Sequence, residues 1–196
     1  MRFGDFLKKE IFEPLGMKDT DFWVPAEKQD RLAKVYDCRE GQPSVRYLDN
    51  NLGIQNDMAY RPAYEAGGAG LASTIDDYAK FTQMLLNGGT YNGVQILRPA
   101  TVKFLGGHTL SAVQQAGFDN WIGLEGFSYG NLMRVLVDPT RAVTLGSKGE
   151  FGWDGWLGCY MEVVPEQNMT FLMMTQKKDA GTYTLSRKIR NIIFSE

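Results

Sequence analysis

The stretch Phe151–Tyr160 reads FGWDGWLGCY, and it decides how the rest of the chain is interpreted. Glycine recurs at every third position, at 152, 155 and 158, with aromatic residues between. Aromatic residues favour a strand, and glycine within a strand marks a place where another backbone or a ligand approaches closely. We interpret the stretch as a glycine-paced strand whose candidate functional residues are Trp153, Asp154, Gly155 and Trp156.

The segments around this stretch show the two-residue alternation that is typical of strands. From about Trp121 onward, aromatic and β-branched residues alternate with small or polar ones. The alternating positions are Phe127 and Tyr129, then Met133, Val135 and Val137, then Cys159, Met161 and Val163, then Met169, Phe171 and Met173. A hairpin connection is predicted at Val164–Asn168. The apolar face of a closing helix is predicted at Leu185, Ile189, Ile192 and Ile193.

The first half of the chain is predicted to be helical and rich in loops. The first helix presents one apolar face, formed by Phe3, Phe6, Leu7 and Ile11. It ends before Gly16, and a second helix begins after Thr74 as its N-cap and ends at Gly88. A short helix is predicted from Pro99 through Leu105. The intervening segment Thr20–Tyr64 is predicted to form long loops with short helical turns.

Helices and loops that precede a run of antiparallel strands predict an α+β fold. We expect residues 1–118 to form the helical, loop-rich part of one domain. Residues 119–196 are expected to supply its sheet strands and C-terminal helix.

Composition excludes several classes of function. The 196 residues include 21 Lys and Arg against 23 Asp and Glu, without blocks of either sign, so no nucleic-acid partner is expected. No run approaches the roughly 20 apolar residues of a membrane span. A single histidine, His108, and two distant cysteines, Cys38 and Cys159, argue against a metal site. We predict no metal and no cofactor, and one disulfide stays open.

Four segments resemble one superfamily, the serine β-lactamases and penicillin-binding-protein-like serine hydrolases, and within it the class C β-lactamase and carboxylesterase branch. They are Ile11–Thr20 (IFEPLGMKDT), Gly67–Thr74 (GGAGLAST) with Asp77–Phe81 (DYAKF), Met84–Gly89 (MLLNGG) and Phe151–Gly155 (FGWDG). Four segments in the expected order are far more specific than any one glycine-rich match. The resemblance implies part of a β-lactamase/transpeptidase-like fold.

Members of that superfamily carry a Ser-x-x-Lys nucleophile and base, a Tyr-x-Asn loop and a Lys-Thr-Gly triplet on a strand. No serine of this chain is followed by lysine three residues later. The resemblance places the first two motifs ahead of the first helix. We therefore expect no catalytic residue in the chain, and interpret it as the C-terminal part of a serine hydrolase that is inactive by itself. The parent would take a small-molecule acyl substrate, an ester, amide or lactam.

The third motif has a counterpart here. Trp153, Asp154 and Gly155 occupy the place of the Lys-Thr-Gly triplet, and the resemblance implies that Gly155 lets a substrate approach the strand. It also implies that the backbone N–H of Trp156 supplies half of an oxyanion hole. The carboxylate of Asp154 would repel the carboxylate of a β-lactam, which favours an uncharged ester or peptide. Alternatively, both tryptophans pack in the sheet core and Asp154 caps a turn.

Three further alternatives remain open. Tyr129 with Asn131 spells Tyr-x-Asn, but an aromatic residue in an alternating strand more often packs than catalyses. A hydrolase based on His108 has only that histidine in its favour. A non-catalytic binding module that retains the cleft wall is the main rival hypothesis.

The resemblance also makes a prediction about assembly. In the superfamily, two N-terminal strands pair beside the last strand of the sheet. Without them the segment Met169 to Thr175 would be an open edge, and open edges recruit other chains. We therefore expect self-association through this segment.

Overall fold

The computed structural model describes residues 1–51, 54–180 and 185–195. The helices are α1 (Phe3–Leu7), α2 (Glu13–Leu15), α3 (Ile75–Leu86), α4 (Pro99–Gly107), α5 (Ala112–Phe118) and α6 (Leu185–Ile193). The strands are β1 (Tyr36–Asp37), β2 (Val45–Arg46), β3 (Thr90–Tyr91), β4 (Val94–Gln95), β5 (Phe127–Gly130), β6 (Met133–Leu136), β7 (Phe151–Asp154), β8 (Tyr160–Val164) and β9 (Met169–Met173). The predicted α+β class is confirmed.

The last five strands form one antiparallel sheet in the order β5-β6-β7-β8-β9. This is a simple meander, and β7 lies at its centre. The strand contains the first four residues of the glycine-paced stretch. Gly152 is required there, because a Cβ at this position would lie 2.0 Å from the carbonyl oxygen of Met161 on β8. The predicted hairpin connection is confirmed, and Asn168 closes it in the left-handed region with φ of 50°.

Helix α3 joins the segments that carry the family resemblance. Thr74 caps it as predicted, accepting from the backbone N–H of Asp77 at 3.2 Å. The buried Asp77 carboxylate in turn accepts from the Asp19 N–H at 2.6 Å and from the Lys80 ammonium at 2.9 Å. The helix then packs on β8 and β9. The Ile11–Thr20 and Gly67–Thr74 segments therefore meet at the start of one helix, which holds them in place.

The first helix is confirmed, and its predicted apolar face is confirmed in part, since Leu7 and Ile11 pack against the main core. A π-helical turn at Lys8–Phe12 joins α1 to α2 and shifts the helical phase of α2 relative to α1. Phe12 and Leu15 are buried in the main core, whereas Phe3 and Phe6 are 44% and 48% exposed. The 3.6-residue period used for the prediction does not hold through the wider turn.

Helix α5 was not predicted from the sequence. Its start carries a capping box, in which Ser111 and Gln114 satisfy each other's backbone groups. A serine followed three residues later by glutamine is a helix-start signal that the sequence does contain.

The two faces of the sheet are packed differently. One face joins an apolar core formed by Phe12, Leu15, Met17, Met84, Leu85, Val102, Val135, Phe151, Met161 and Val163. The other face receives α6 through a buried guanidinium, that of Arg190. It donates to Glu150 at 2.6 Å and to the Tyr160 hydroxyl at 3.0 Å, and it also pairs with Glu162.

Burial of α6 therefore differs from the prediction. Arg190 and Ser186 are buried, while Leu185 and Ile192 are 52% and 64% exposed. Two buried carboxyl groups on the sheet need a charged donor, and leaving them unpaired costs more than exposing aliphatic residues. Charge pairing with the sheet, and not the apolar stripe, sets the rotation of this helix.

The shared guanidinium predicts a pH dependence of stability. Burial, together with the nearby charge of Glu162, raises the pKa of Glu150 from 4.5 to about 8. Because the folded-state pKa exceeds the unfolded one, this group's contribution is complete below pH 4.5 and declines as pH rises through about 8. Glu150→Gln keeps the shape and abolishes the titration. In urea unfolding from pH 5 to 9, its free energy of unfolding is expected to decline less steeply than that of the wild type.

The control for this experiment is Glu166→Gln, which removes an exposed carboxylate in the β8–β9 connection. This variant should track the wild type at each pH. A Glu150→Gln curve parallel to the wild-type curve would show that Glu150 is ionised in the folded protein throughout.

Strand β9 is at the edge of the sheet. It pairs with β8 on one side, and no strand of the described residues pairs with it on the other. The strand ends at Met173, two residues short of the predicted edge Met169 to Thr175, and beyond it the Gln176 carbonyl accepts from the Tyr36 N–H of β1 at 2.9 Å. Self-association stays a prediction.

Light scattering after gel filtration should give a mass that rises with protein concentration. Met173→Lys should suppress this rise, because it places a charge on the edge. A wild-type chain that is monomeric at every concentration would exclude this edge as an interface.

Candidate active-site wall

Strand β7 ends in a tight turn that spans residues 155–158. The Gly155 N–H donates to the Cys159 carbonyl at 2.8 Å, and the Gly158 N–H donates back to the Gly155 carbonyl at 2.9 Å. Gly158 closes the turn with φ of 83°. A side chain there would also clash with Thr175, whose hydroxyl oxygen would lie 2.3 Å from a Cβ. The backbone at the end of β7 therefore has one accessible shape.

The turn leaves the N–H groups of Trp156 and Leu157 without an acceptor among the described residues, and the resemblance points to that of Trp156. Trp156 is its second residue, and its carbonyl accepts from the Ala180 N–H at 3.2 Å. Within the described ranges, no acceptor lies within hydrogen-bonding distance of the Trp156 N–H. The residue as a whole is 36% exposed. This arrangement is what an oxyanion-hole donor requires, and that role for Trp156 stays a prediction.

Gly155 is not required by packing. A Cβ built there meets nothing closer than 3.8 Å, and the backbone is not left-handed. Gly152, two positions before the end of β7, has the opposite character. The described residues leave the space in front of Gly155 open. A substrate could lie along the strand end there.

Trp153 belongs to an aromatic cluster at the rim of the sheet. Its ring lies 5.1 Å from Tyr129 and 6.1 Å from Trp121, measured between centroids, and both pairs meet edge to face. Phe118, the last residue of α5, closes the cluster against Tyr129 and Trp121 at 6.0 and 6.1 Å. Trp121 is 53% exposed, so the cluster presents an apolar wall to solvent. Tyr129 packs, as the sequence indicated.

Asp154 is paired, which corrects the argument that its carboxylate acts as an uncompensated charge. Its Oδ1 accepts from the Arg134 guanidinium at 2.9 Å, and the Arg134 side chain is 2% exposed. The guanidinium also stacks 4.5 Å from the centroid of the Tyr160 ring. The sequence analysis interpreted Asp154 either as a carboxylate that repels an anion or as the cap of a turn. This contact with Arg134 is neither. An arginine at an inward position of the neighbouring strand was the signal that could have revealed it.

Other candidate residues do not gather at this wall. His108 is exposed beside α4, with its ring 5.4 Å from Phe104. Cys38 and Cys159 are free thiols. Among the described residues, no three His, Cys, Asp or Glu side chains converge as metal ligands, and no helix is long and apolar enough to cross a bilayer. The site is therefore the end of β7 with its turn and its aromatic rim.

Comparison with known proteins gives a consistent result. The Beta-lactamase family model matches residues 1–192. Protein Rv1367c of Mycobacterium tuberculosis is 32% identical over 177 residues, which cover 87% of this chain and 42% of that protein. The lovastatin esterase of Penicillium rubens is 29% identical over 157 residues, covering 79% of this chain and 37% of that enzyme.

Solved structures share the fold. EstCE1, described as a hydrolase with promiscuous acyltransferase activity, superimposes with a TM-score of 0.75 at 22% identity. The match covers 97% of this chain and 50% of that one. The chain thus has a β-lactamase/transpeptidase-like fold, and it spans half or less of the length of these proteins.

The two glycines of β7 and its turn predict contrasting effects on stability. Gly152→Ala should lower the free energy of unfolding by about 1–3 kcal/mol or more, because its methyl group collides with β8. Gly155→Ala should leave it unchanged or raise it by up to about 1 kcal/mol, since the site is open and alanine restricts the unfolded chain. Urea unfolding of the two variants measures both. Equal destabilisation would mean that Gly155 is retained for folding and not for access.

Proposed function

We propose, because this chain belongs to the β-lactamase family, that it forms one wall of the acyl-transfer cleft of a serine hydrolase. The Ser-x-x-Lys pair of that enzyme lies outside these 196 residues. The whole enzyme acylates its serine with a substrate and then hydrolyses the acyl-enzyme. The chain alone is inactive. Residues 1–118 and 119–196 are two parts of the same domain in this proposal.

The observation that carries the proposal is the Trp156 N–H, which has no acceptor among the residues that the structure describes. Attack by a serine hydroxyl on a carbonyl places negative charge on the carbonyl oxygen, and a fixed N–H aimed at that oxygen stabilises the charge. The carbonyl of Trp156 is already bonded, and the turn that contains the residue is closed on both sides. The donor therefore costs no rearrangement at the moment of reaction.

The chain's other residues at the wall have defined tasks in this proposal. Gly155 leaves room for the substrate to lie along the end of β7. The Asp154–Arg134 ion pair fixes the strand end from the opposite side and contributes no net charge. Proton transfer to and from the serine is the work of the lysine base in the missing part.

The wall favours an uncharged ester with an apolar acyl group. Trp153 stands where the family triplet has a lysine, so the triplet offers no cation to a substrate carboxylate. The aromatic cluster adds an exposed apolar surface beside it. Such a surface stabilises a hydrocarbon group by about 25 cal/mol for each Å² buried. The names of the lovastatin esterase and of EstCE1 as a hydrolase agree with this substrate class.

The test removes the donor while keeping the turn. Trp156→Pro lacks the N–H, and proline suits the second position of a tight turn. In the full-length protein, hydrolysis of p-nitrophenyl butyrate should fall about a hundredfold to a thousandfold in kcat. Trp156→Phe retains the backbone N–H and loses only the indole hydrogen bond, so its kcat should fall less than that of Trp156→Pro. A chromogenic cephalosporin should be a poorer substrate than the ester.

Two outcomes would overturn the proposal. Saturable ester turnover by the 196-residue chain, abolished by one substitution within it, would show that the chain is itself the enzyme. An unaffected kcat in Trp156→Pro would remove the oxyanion role. If the reading frame supplies no Ser-x-x-Lys and no turnover is found, the chain is instead a binding module that retains the cleft wall.

A further inference from the structure

We infer that the segment Lys177–Ala180, together with Tyr47, is a brace that sets the direction of the Trp156 N–H, and that Asp179 is its positioning residue. This inference rests on the proposed function of Trp156. It assigns a role to residues that lie outside the segments with family resemblance.

The brace bonds the indole N–H of Trp156 and the carbonyls of Trp156 and Leu157, and it leaves the Trp156 backbone N–H free of any acceptor among the described residues. The indole N–H of Trp156 donates to the Asp179 carboxylate, and the Trp156 carbonyl accepts from Ala180. The next carbonyl, that of Leu157, accepts from the Lys177 N–H at 3.1 Å and from the Thr175 hydroxyl at 2.9 Å. The two central peptide units of the turn are thus fixed by the brace.

The indole ring is also held from the other side. The Tyr47 ring meets it edge to face, with 5.8 Å between centroids and an angle of 77°. The Lys178 ammonium lies 5.5 Å from the centre of the same Tyr47 ring and 3.2 Å from Asp179. Trp156 is therefore clamped between two loops that are far apart in sequence.

The long loop of the first half supports the brace. Tyr36 of β1 donates its N–H to Gln176 at 2.9 Å and accepts from the Lys178 N–H at 2.8 Å. Tyr47 follows β2, the antiparallel partner of β1. This long segment, which contains a 3-10 helix at Ala26–Arg31 and the β1–β2 pair, therefore contacts the turn of the candidate site.

Backbone strain points to the same residue. Asp179 has φ of 55°, a left-handed conformation that costs a non-glycine residue of order 1 kcal/mol. Its side chain is 65% exposed, so its hydrogen bond and ion pair in water contribute little to stability. The indole hydrogen bond and then Lys178 lower the pKa of this carboxyl, which keeps it an ionised acceptor at neutral pH. An exposed, strained residue that gains little stability is better explained by orientation of Trp156.

Two substitutions separate positioning from folding. Asp179→Gly removes the acceptor and relieves the strain, so the melting temperature should be unchanged or higher. Asp179→Asn retains an acceptor oxygen and tolerates the left-handed backbone. In the full-length protein, Asp179→Gly should lower kcat for p-nitrophenyl butyrate about tenfold to a hundredfold with little change in KM. Asp179→Asn should stay within about threefold of the wild type in kcat, as expected when the hydrogen bond survives.

A second readout does not depend on activity. In the 196-residue chain, NMR relaxation of the Trp156 backbone amide should show a lower order parameter in Asp179→Gly than in the wild type or Asp179→Asn. An unchanged Trp156 amide in Asp179→Gly would overturn the brace even if the enzyme is active. A mobile amide in a protein that hydrolyses no ester would instead support the brace and reject the proposed function. Equal loss of kcat in both variants would also contradict the inference.

Discussion

The buried guanidinium of Arg190 is the contact on which the rest of the structure depends. Two carboxylates, Glu150 and Glu162, face it from the sheet, and neither could be buried as an anion without a cation. Removing one partner from such a network typically costs about 3–5 kcal/mol, because the others are left uncompensated. The cluster therefore fixes α6 against β8 and the residue that precedes β7.

The same polar face leads from α6 to the candidate site. Tyr160 accepts from Arg190 with its hydroxyl and carries the Arg134 guanidinium over its ring. Arg134 then pairs with Asp154, the last residue of β7. The end of the strand is thus held by buried charge pairs on one face and by the apolar core on the other. A rigid strand end is what an oxyanion donor in the next turn requires, since its benefit depends on not having to reorganise.

Local signals in the sequence were sufficient for the fold class, for α3 and for the five-stranded sheet, but not for α5. The Thr74 cap predicted α3, the two-residue alternation predicted the sheet, and four short segments were enough to indicate the family. Contacts between distant segments could not be predicted in this way. Arg134 meets Asp154 only because of the register between β6 and β7, and Asp179 meets Trp156 only because the chain returns after β9. The inward rotation of α6 was mispredicted for the same reason, since Arg190 is buried by carboxylates about 30 and 40 residues away in sequence.

The central claim is that this chain supplies the wall of an acyl-transfer cleft whose nucleophile belongs to another part of the protein. The most direct measurement is to treat the full-length protein with a fluorophosphonate, digest it, and locate the phosphonylated residue by mass spectrometry. The account predicts a single labelled serine outside these 196 residues, followed three positions later by a lysine. A label on a serine of this chain, such as Ser73 or Ser128, would contradict it.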